Sequence, residues 1–153
     1  MSDLFSSADG ASDDGANTPA VVFRVVPMGK PRMTQRDRWK KRPAVLRYHA
    51  FKDELRVIVS QYPHLRSFIE SGTISRLSWT AYLPIPESWP KRKKAAMAGV
   101  LHRAKPDRDN IDKALLDALF PDDSGIASGR IEKRWDDGNG PRIEVIFESE
   151  PTV

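Results

Sequence analysis

Apolar and polar positions alternate along this chain with two periods, and the period predicts the element. Val21 to Val26 is a short β-branched run closed by Pro27 and Gly29, which predicts a buried strand. Tyr48, Phe51, Leu55, Ile58, Val59 and Tyr62 recur at helical spacing, predicting an amphipathic helix from Tyr48 to Tyr62 that stops at Pro63. Leu77, Trp79, Ala81 and Leu83 alternate with Ser78, Thr80 and Tyr82, the period of a half-buried strand, and Pro84 and Pro86 end it. Ser88 is placed to cap a short helix through Met97, with Pro90 in its first turn and Gly99 beyond it. Ile111, Ala114, Leu115 and Ala118 give the clearest apolar face, on a helix from Asn110 to Leu119.

Near the end of the chain, Ile131, Lys133 and Trp135 alternate with Glu132 and Arg134. The run Asp136-Asp137-Gly138-Asn139-Gly140 follows, and Arg142 to Glu148 carries Ile143, Val145 and Phe147 on one face. This reads as a β-hairpin. The sum is one compact α/β domain of the α+β type, with a mixed or antiparallel sheet of about four strands and about three helices. It spans residues 21–150. Residues 1–20, rich in Ser, Asp, Gly and Ala with only Leu4 and Phe5 as large apolar side chains, read as a disordered acidic tail.

Composition narrows the function classes. No run of ~18 apolar residues is present to span a membrane, and no basic-then-apolar signal pattern opens the chain, so a cytoplasmic protein is expected. Cysteine is absent, which removes disulfides, thiolate metal sites and cysteine nucleophiles. The net charge of +4 hides a more basic domain, because the first twenty residues carry Asp3, Asp9, Asp13 and Asp14 and no base. A polyanionic partner is implied, since Lys and Arg gain affinity by displacing counterions from phosphates.

The acids of the middle of the chain carry the candidate chemistry. Asp107 and Asp109 lie two apart just before a helix, where an extended backbone points both carboxylates the same way. Asp109, Lys113 and Asp117 follow at spacings of four and stack along the helix's polar side. Asp122-Asp123 come after Pro121, and a turn there would bring one of them back to the first pair. Magnesium takes octahedral oxygen ligands from a few carboxylates, waters and substrate phosphates, so three convergent acids on a cationic surface suit a metal-dependent phosphodiesterase. Lys113 would add positive charge to the transition state. The plain alternative is that Asp109 caps the helix, Lys113 makes ordinary i, i+4 pairs with Asp109 and Asp117, and Asp122-Asp123 are turn residues.

The wider run tips the balance. Lys105-Pro106-Asp107-Arg108-Asp109-Asn110, then Lys113, Asp117-Ala118-Leu119 and Asp122-Asp123, resembles the RusA family of Holliday junction resolvases found in phages and prophages. Pro27-x-Gly29-Lys30-Pro31-Arg32, the helix at Tyr48 and Pro84-x-Pro86-x-Ser88-Trp89 extend the likeness over roughly residues 21–148. The resemblance implies Asp107, Asp109 and Asp123 as metal-binding acids and Lys113 as the essential lysine. It further implies Mg²⁺, with Mn²⁺ as a substitute, and a homodimer that cuts both strands of a four-way junction or a related branched DNA during recombination and repair. The short segment between Leu119 and Asp122 departs from the family pattern, as does the acidic tail.

Other residues are read as DNA-binding. Lys91, Arg92, Lys93 and Lys94 form the densest positive run, and Lys30, Arg32, Arg36 and Arg38 lie in a basic loop over 30–42, where Trp39 is placed either to stack on a base or, equally, to pack locally. Lys133 falls on the family's downstream lysine, on a strand bordering the site. His102, five residues before Asp107, is a proton-shuttle candidate or simply a polar residue. Trp79, Trp89 and Trp135 read as core or core edge. Two rival functions stand beside the nuclease: a non-catalytic binder of branched DNA with the same fold, and a metal-dependent hydrolase of small phosphate esters in an enclosed pocket.

Overall fold

In a computed structural model, residues 19–38 and 42–151 are described. Four strands form one mixed sheet: β1 (Val21–Phe23), β2 (Ile74–Leu83), β3 (Ile131–Trp135) and β4 (Arg142–Ser149), in the order β1-β4-β2-β3. The helices are α1 (Pro43–Ser60), α2 (Pro63–Glu70), α3 (Lys91–Met97) and α4 (Arg108–Leu119), with a 3₁₀ turn at Gln35–Arg38.

The period-2 pattern of β2 does what it predicts. Leu77, Trp79, Ala81 and Leu83 turn to one face and are buried, joined there by Ile143, Val145 and Phe147 of β4 and by Val21 and Phe23 of β1. The helical stripes close over this face. Val45, Tyr48, Phe51 and Leu55 come from α1, and Ile111, Ala114, Leu115, Ala118 and Leu119 from α4. Ile111 and Leu115 lose all contact with water, each contributing roughly 1.5–3 kcal/mol of hydrophobic stabilisation.

Four expectations are corrected. The terminal hairpin does not form: β2 lies between β3 and β4, parallel to the first and antiparallel to the second. The Asp136–Gly140 turn is real, with the Gly138 and Gly140 amides donating to Asp136 Oδ1. It carries the chain across the end of β2, where the Asp136 amide donates to the Leu83 carbonyl. Local turn chemistry does not say whether the joined strands are neighbours; the long central strand, with partners on both edges, decides it. Second, α1 starts at Pro43, five residues earlier than predicted. Third, an extra helix, α2, begins at Pro63 and buries Leu65 and Ile69; proline stops one helix yet suits the first turn of the next. Fourth, α3 starts at Lys91 with Pro90 in the cap position, so Ser88 is not its cap.

Residues 1–18 of the predicted tail, and Trp39, lie outside the described residues. Among the described residues no helix is long and apolar enough to cross a membrane.

Candidate active site

Asp107 takes the N-cap position of α4 with extended backbone, and Asp109 follows in the first helical turn. The place reserved for Asp109 as a cap therefore belongs to Asp107, whose side chain makes no capping hydrogen bond and points elsewhere. Both carboxylates are open to water, with side chains 49% and 71% exposed. The helix N-terminus favours negative charge here whatever the acids do next.

The turn that carries them is fixed from two sides. On one side Gly29 packs so closely that a Cβ there would stand 3.1 Å from the Cβ atoms of both Pro106 and Asn110. The Lys30 amide donates to the Asn110 carbonyl at 3.0 Å. The Pro-x-Gly-Lys run thus has a mechanical reason: a side chain at Gly29 would crowd Pro106 and Asn110, and glycine lets the loop after β1 lie close against the start of α4. On the other side β3 grips the segment 99–106. Gly99 and Val100 exchange backbone bonds with Trp135, the His102 amide donates to the Lys133 carbonyl at 2.9 Å, and Lys133 Nζ donates to the carbonyls of Ala104 and Pro106. The Lys105–Pro106 peptide is cis.

Charge around the pair is mostly positive. Lys105 Nζ donates to Asp107 Oδ1 at 2.8 Å, and this bond, then the Lys105 charge and that of Lys133, holds the Asp107 carboxyl below its usual range. Burial lowers the Lys133 ammonium against the opposing pull of Asp107. Lys113 stands 3.9 Å from Asp109 with both side chains largely exposed, a loose pair.

Asp117 does not continue that row. It faces α1, where its Oδ2 accepts from the Tyr48 hydroxyl, from Lys52 Nζ at 3.3 Å, and sits 3.8 Å from Lys30 Nζ. Burial pushes its carboxyl up, but these donors and cations overrule it and the net shift is downward. The same bond and burial raise the Tyr48 phenol well above its usual range. Asp112 takes the sheet side of α4 and accepts from Trp79 Nε1 at 2.8 Å. Helical drift of ~40° per four residues is enough to turn Asp117 away from Lys113 and toward α1.

The expected return of Asp123 to the first pair does not occur within the chain. Asp107 and Asp123 lie beyond opposite ends of α4, whose 12 residues span ~18 Å. After Asp123 the chain runs beside the start of β2, with the Ala127 amide on the Ser75 carbonyl. Among the described residues no three His, Cys, Asp or Glu side chains gather where they could hold a metal ion. The segment Phe120–Pro121 is too short to turn back along the helix. Asp122 accepts from the Ser124 amide at 3.0 Å, as a turn residue does.

The remaining candidates divide. Lys91, Arg92 and Lys94 on the exposed α3, and Arg32, Arg36 and Arg38, have no acidic partner among the described residues. Lys93 lies over the Trp89 ring at 4.1 Å, and Lys30 is partly engaged by Asp117. The one acid of the 30–42 loop, Asp37, is buried, takes two bonds from Arg42 and one from the Thr34 amide, and is strongly lowered by them. His102 is buried with its ring 4.0 Å from that of Trp135. Burial, then the Lys133 charge, lowers its imidazole. Its Nδ1 accepts from the Ala104 amide at 3.4 Å, so it belongs to the packing of the 102–106 segment. Trp79 and Trp135 are buried, and Trp89 packs against Trp135 with the rings tilted at 59° and their centroids 4.8 Å apart.

Lys105 stood in the candidate run without a role of its own, and pattern reading missed Asp112 and the Asp117–Tyr48–Lys52 cluster. The helical stripe contained Tyr48, but its hydroxyl needs a partner, and only the packing of α1 on α4 says which acid supplies it.

Residues 23–148 match the family described as Endodeoxyribonuclease RusA, and the chain belongs to that family. A protein of Bacillus subtilis (strain 168) described as "Uncharacterized protein YqaN" is 32% identical over 132 residues, covering 80% of this chain and 88% of its own. No solved structure matches.

Proposed function

From membership in the RusA endodeoxyribonuclease family, we propose that this protein is a Mg²⁺-dependent, structure-selective endonuclease. It cuts four-way junctions or related branched DNA as a homodimer in the bacterial cytoplasm, where a phage or prophage would place it. The observation that carries this reading is the Asp107–Asp109 pair, held exposed on a braced turn. Cations without acidic partners lie on α3 and the 32–38 loop to take phosphates. An exposed pair also counts against a small-molecule hydrolase, which needs an enclosed pocket.

Hard carboxylate oxygens on an open surface fit Mg²⁺, which is commonly held by one or two carboxylates together with substrate phosphates. Asp107 and Asp109 would hold it. Asp123 stands too far along its own chain to join them, so in this reading it reaches the metal of the second subunit. When bound, the ion would activate water and neutralise charge at the phosphorus. Lys105 pairs with Asp107 at 2.8 Å, and Lys113 brings an exposed ammonium beside Asp109.

The test is a cleavage assay on synthetic four-way junctions, forks and flaps with Mg²⁺, Mn²⁺ or EDTA, with Asp109→Asn as the control. Metal-dependent cutting lost in the variant is the expected result. Binding that is equal in EDTA, with no cutting under any metal, would establish the non-catalytic binder instead.

A further inference from the structure

We propose that Lys133 is a positioning residue that sets the geometry of the Asp107–Asp109 turn, and not a contact to DNA phosphate. The proposal deepens the nuclease reading and rests on it for the cleavage readout alone.

Lys133 is tied to alternate residues of the segment that leads into the acids. Its backbone carbonyl accepts from the His102 amide, and its ammonium donates to the carbonyls of Ala104 and Pro106, the second at 2.7 Å. Residues 102, 104 and 106 are therefore all anchored on one residue of β3. Two of the three ammonium donors are committed to backbone, which leaves one for any phosphate. An exposed cation beside Asp107 already exists in Lys105, whose side chain is 84% exposed. Lys133 by contrast is half-buried. Its place in the register fixes the reach: it pairs with Ala81 in the ladder to β2, so its backbone moves only with the sheet. A carboxylate carried one residue past the Pro106 carbonyl inherits that rigidity. Misplacing a reacting group by about an ångström typically costs on the order of 10² in rate.

The test compares wild type with Lys133→Met and Lys133→Arg. Affinity for a four-way junction is measured in Ca²⁺ across a salt series, cleavage rate at saturating DNA in Mg²⁺, and amide hydrogen exchange in the metal-free protein. For Lys133→Met we expect affinity within twofold of wild type, an unchanged salt slope, a rate lowered about 10²-fold, and faster exchange confined to residues 102–110. Lys133→Arg, which can still donate to two carbonyls, should recover most of the rate and the protection. A loss of affinity with a salt slope smaller by about one would identify a phosphate contact and overturn the proposal. So would unchanged exchange in residues 102–110. If Lys133→Met fails to fold, Lys133→Gln, whose amide nitrogen stands one bond short of the ammonium's reach, should show intermediate protection; full protection overturns the proposal. If the wild type cuts no branched DNA, the nuclease reading fails, while the exchange data still decide what Lys133 does.

Discussion

The two ends of α4 carry acids of one sequence run and use them in opposite ways. At the first end the side chains of Asp107 and Asp109 are open to water, each beside a flexible ammonium, that of Lys105 and that of Lys113. At the second, Asp117 is bound into the packing of α1 by Tyr48 and Lys52. An acid that does chemistry must keep lone pairs free, whereas an acid that holds two helices together must give them away. The difference comes from what faces each side chain, not from the residue type.

The comparison breaks most visibly at the first end. If Asp107 and Asp109 hold the proposed metal, Asp107→Asn and Asp109→Asn should each lower junction cleavage by about 10³-fold or more while leaving binding intact, because each removes a ligand and adds no bulk. Thermal melting should not move, since exposed substitutions away from packing change stability by roughly 0.5 kcal/mol or less. Retained Mg²⁺-dependent cutting in either variant would remove that acid from the site. Mixing asks where Asp123 acts. If each site draws Asp123 from the other subunit, Asp107→Asn and Asp123→Asn proteins, each inactive, should together form mixed dimers with one intact site and regain nicking. No regain on proven exchange of subunits would exclude that arrangement.

At the second end the large effect is on stability. Asp117→Ala leaves the buried Tyr48 hydroxyl and Lys52 without their acceptor and should destabilise the fold by about 1–3 kcal/mol in urea titration. The pH dependence has a definite sign. Asp117 and Asp137 are both lowered in the folded protein, Asp137 to about 2 by its two bonds from Arg142. Each contribution is present above the unfolded carboxylate pKa near ~4; that of Asp137 is lost as pH falls toward about 2, and that of Asp117 as pH falls through its own lowered value. Asp117→Ala should therefore flatten the acid limb of the stability curve, and an unaltered limb would show that Asp117 is not part of it.

A smaller effect separates both ends from the basic surface. Replacing Lys91, Arg92 and Lys94 of α3 by Ala should weaken junction binding and lower the salt slope by up to about one per lost phosphate contact. The rate at saturating DNA should hold. A fall in rate with no change in slope would move α3 from the DNA path to the site.

Much of this was legible in the pattern of the chain, and the failures have a common cause. The stripe Ile111, Ala114, Leu115 and Ala118 named the buried face of α4, and the alternation from Leu77 to Leu83 named that of β2, because burial on one face writes a period directly into sequence. Asp-x-Asp before a helix was enough to mark Asp107 and Asp109 as candidates. What did not show was every relation between distant segments. The hairpin expected at 131–148 is split by β2, Asp117 answers to Tyr48 sixty-nine residues away, and Asp123 stays at the far end of its helix. Lys133 reads from the sequence as a DNA-binding lysine bordering the site, because nothing local says that its ammonium meets two carbonyls.

The smallest predicted stability change is at Lys113, and it asks whether the first end of α4 is chemistry or ornament. Lys113 and Asp109 form an i, i+4 pair at 3.9 Å with side chains 62% and 71% exposed. Such pairs contribute at most about 0.5 kcal/mol, because water screens them and holding two long side chains costs entropy. Lys113→Gln should therefore leave the urea midpoint where it is. If Lys113 stabilises the developing charge at phosphorus, the same variant should still lower the cleavage rate by about 10²-fold or more at saturating DNA. Loss of rate without loss of stability is the signature of a site. Equal small losses in both would return Lys113 to the ordinary helix-surface pair that its spacing alone describes.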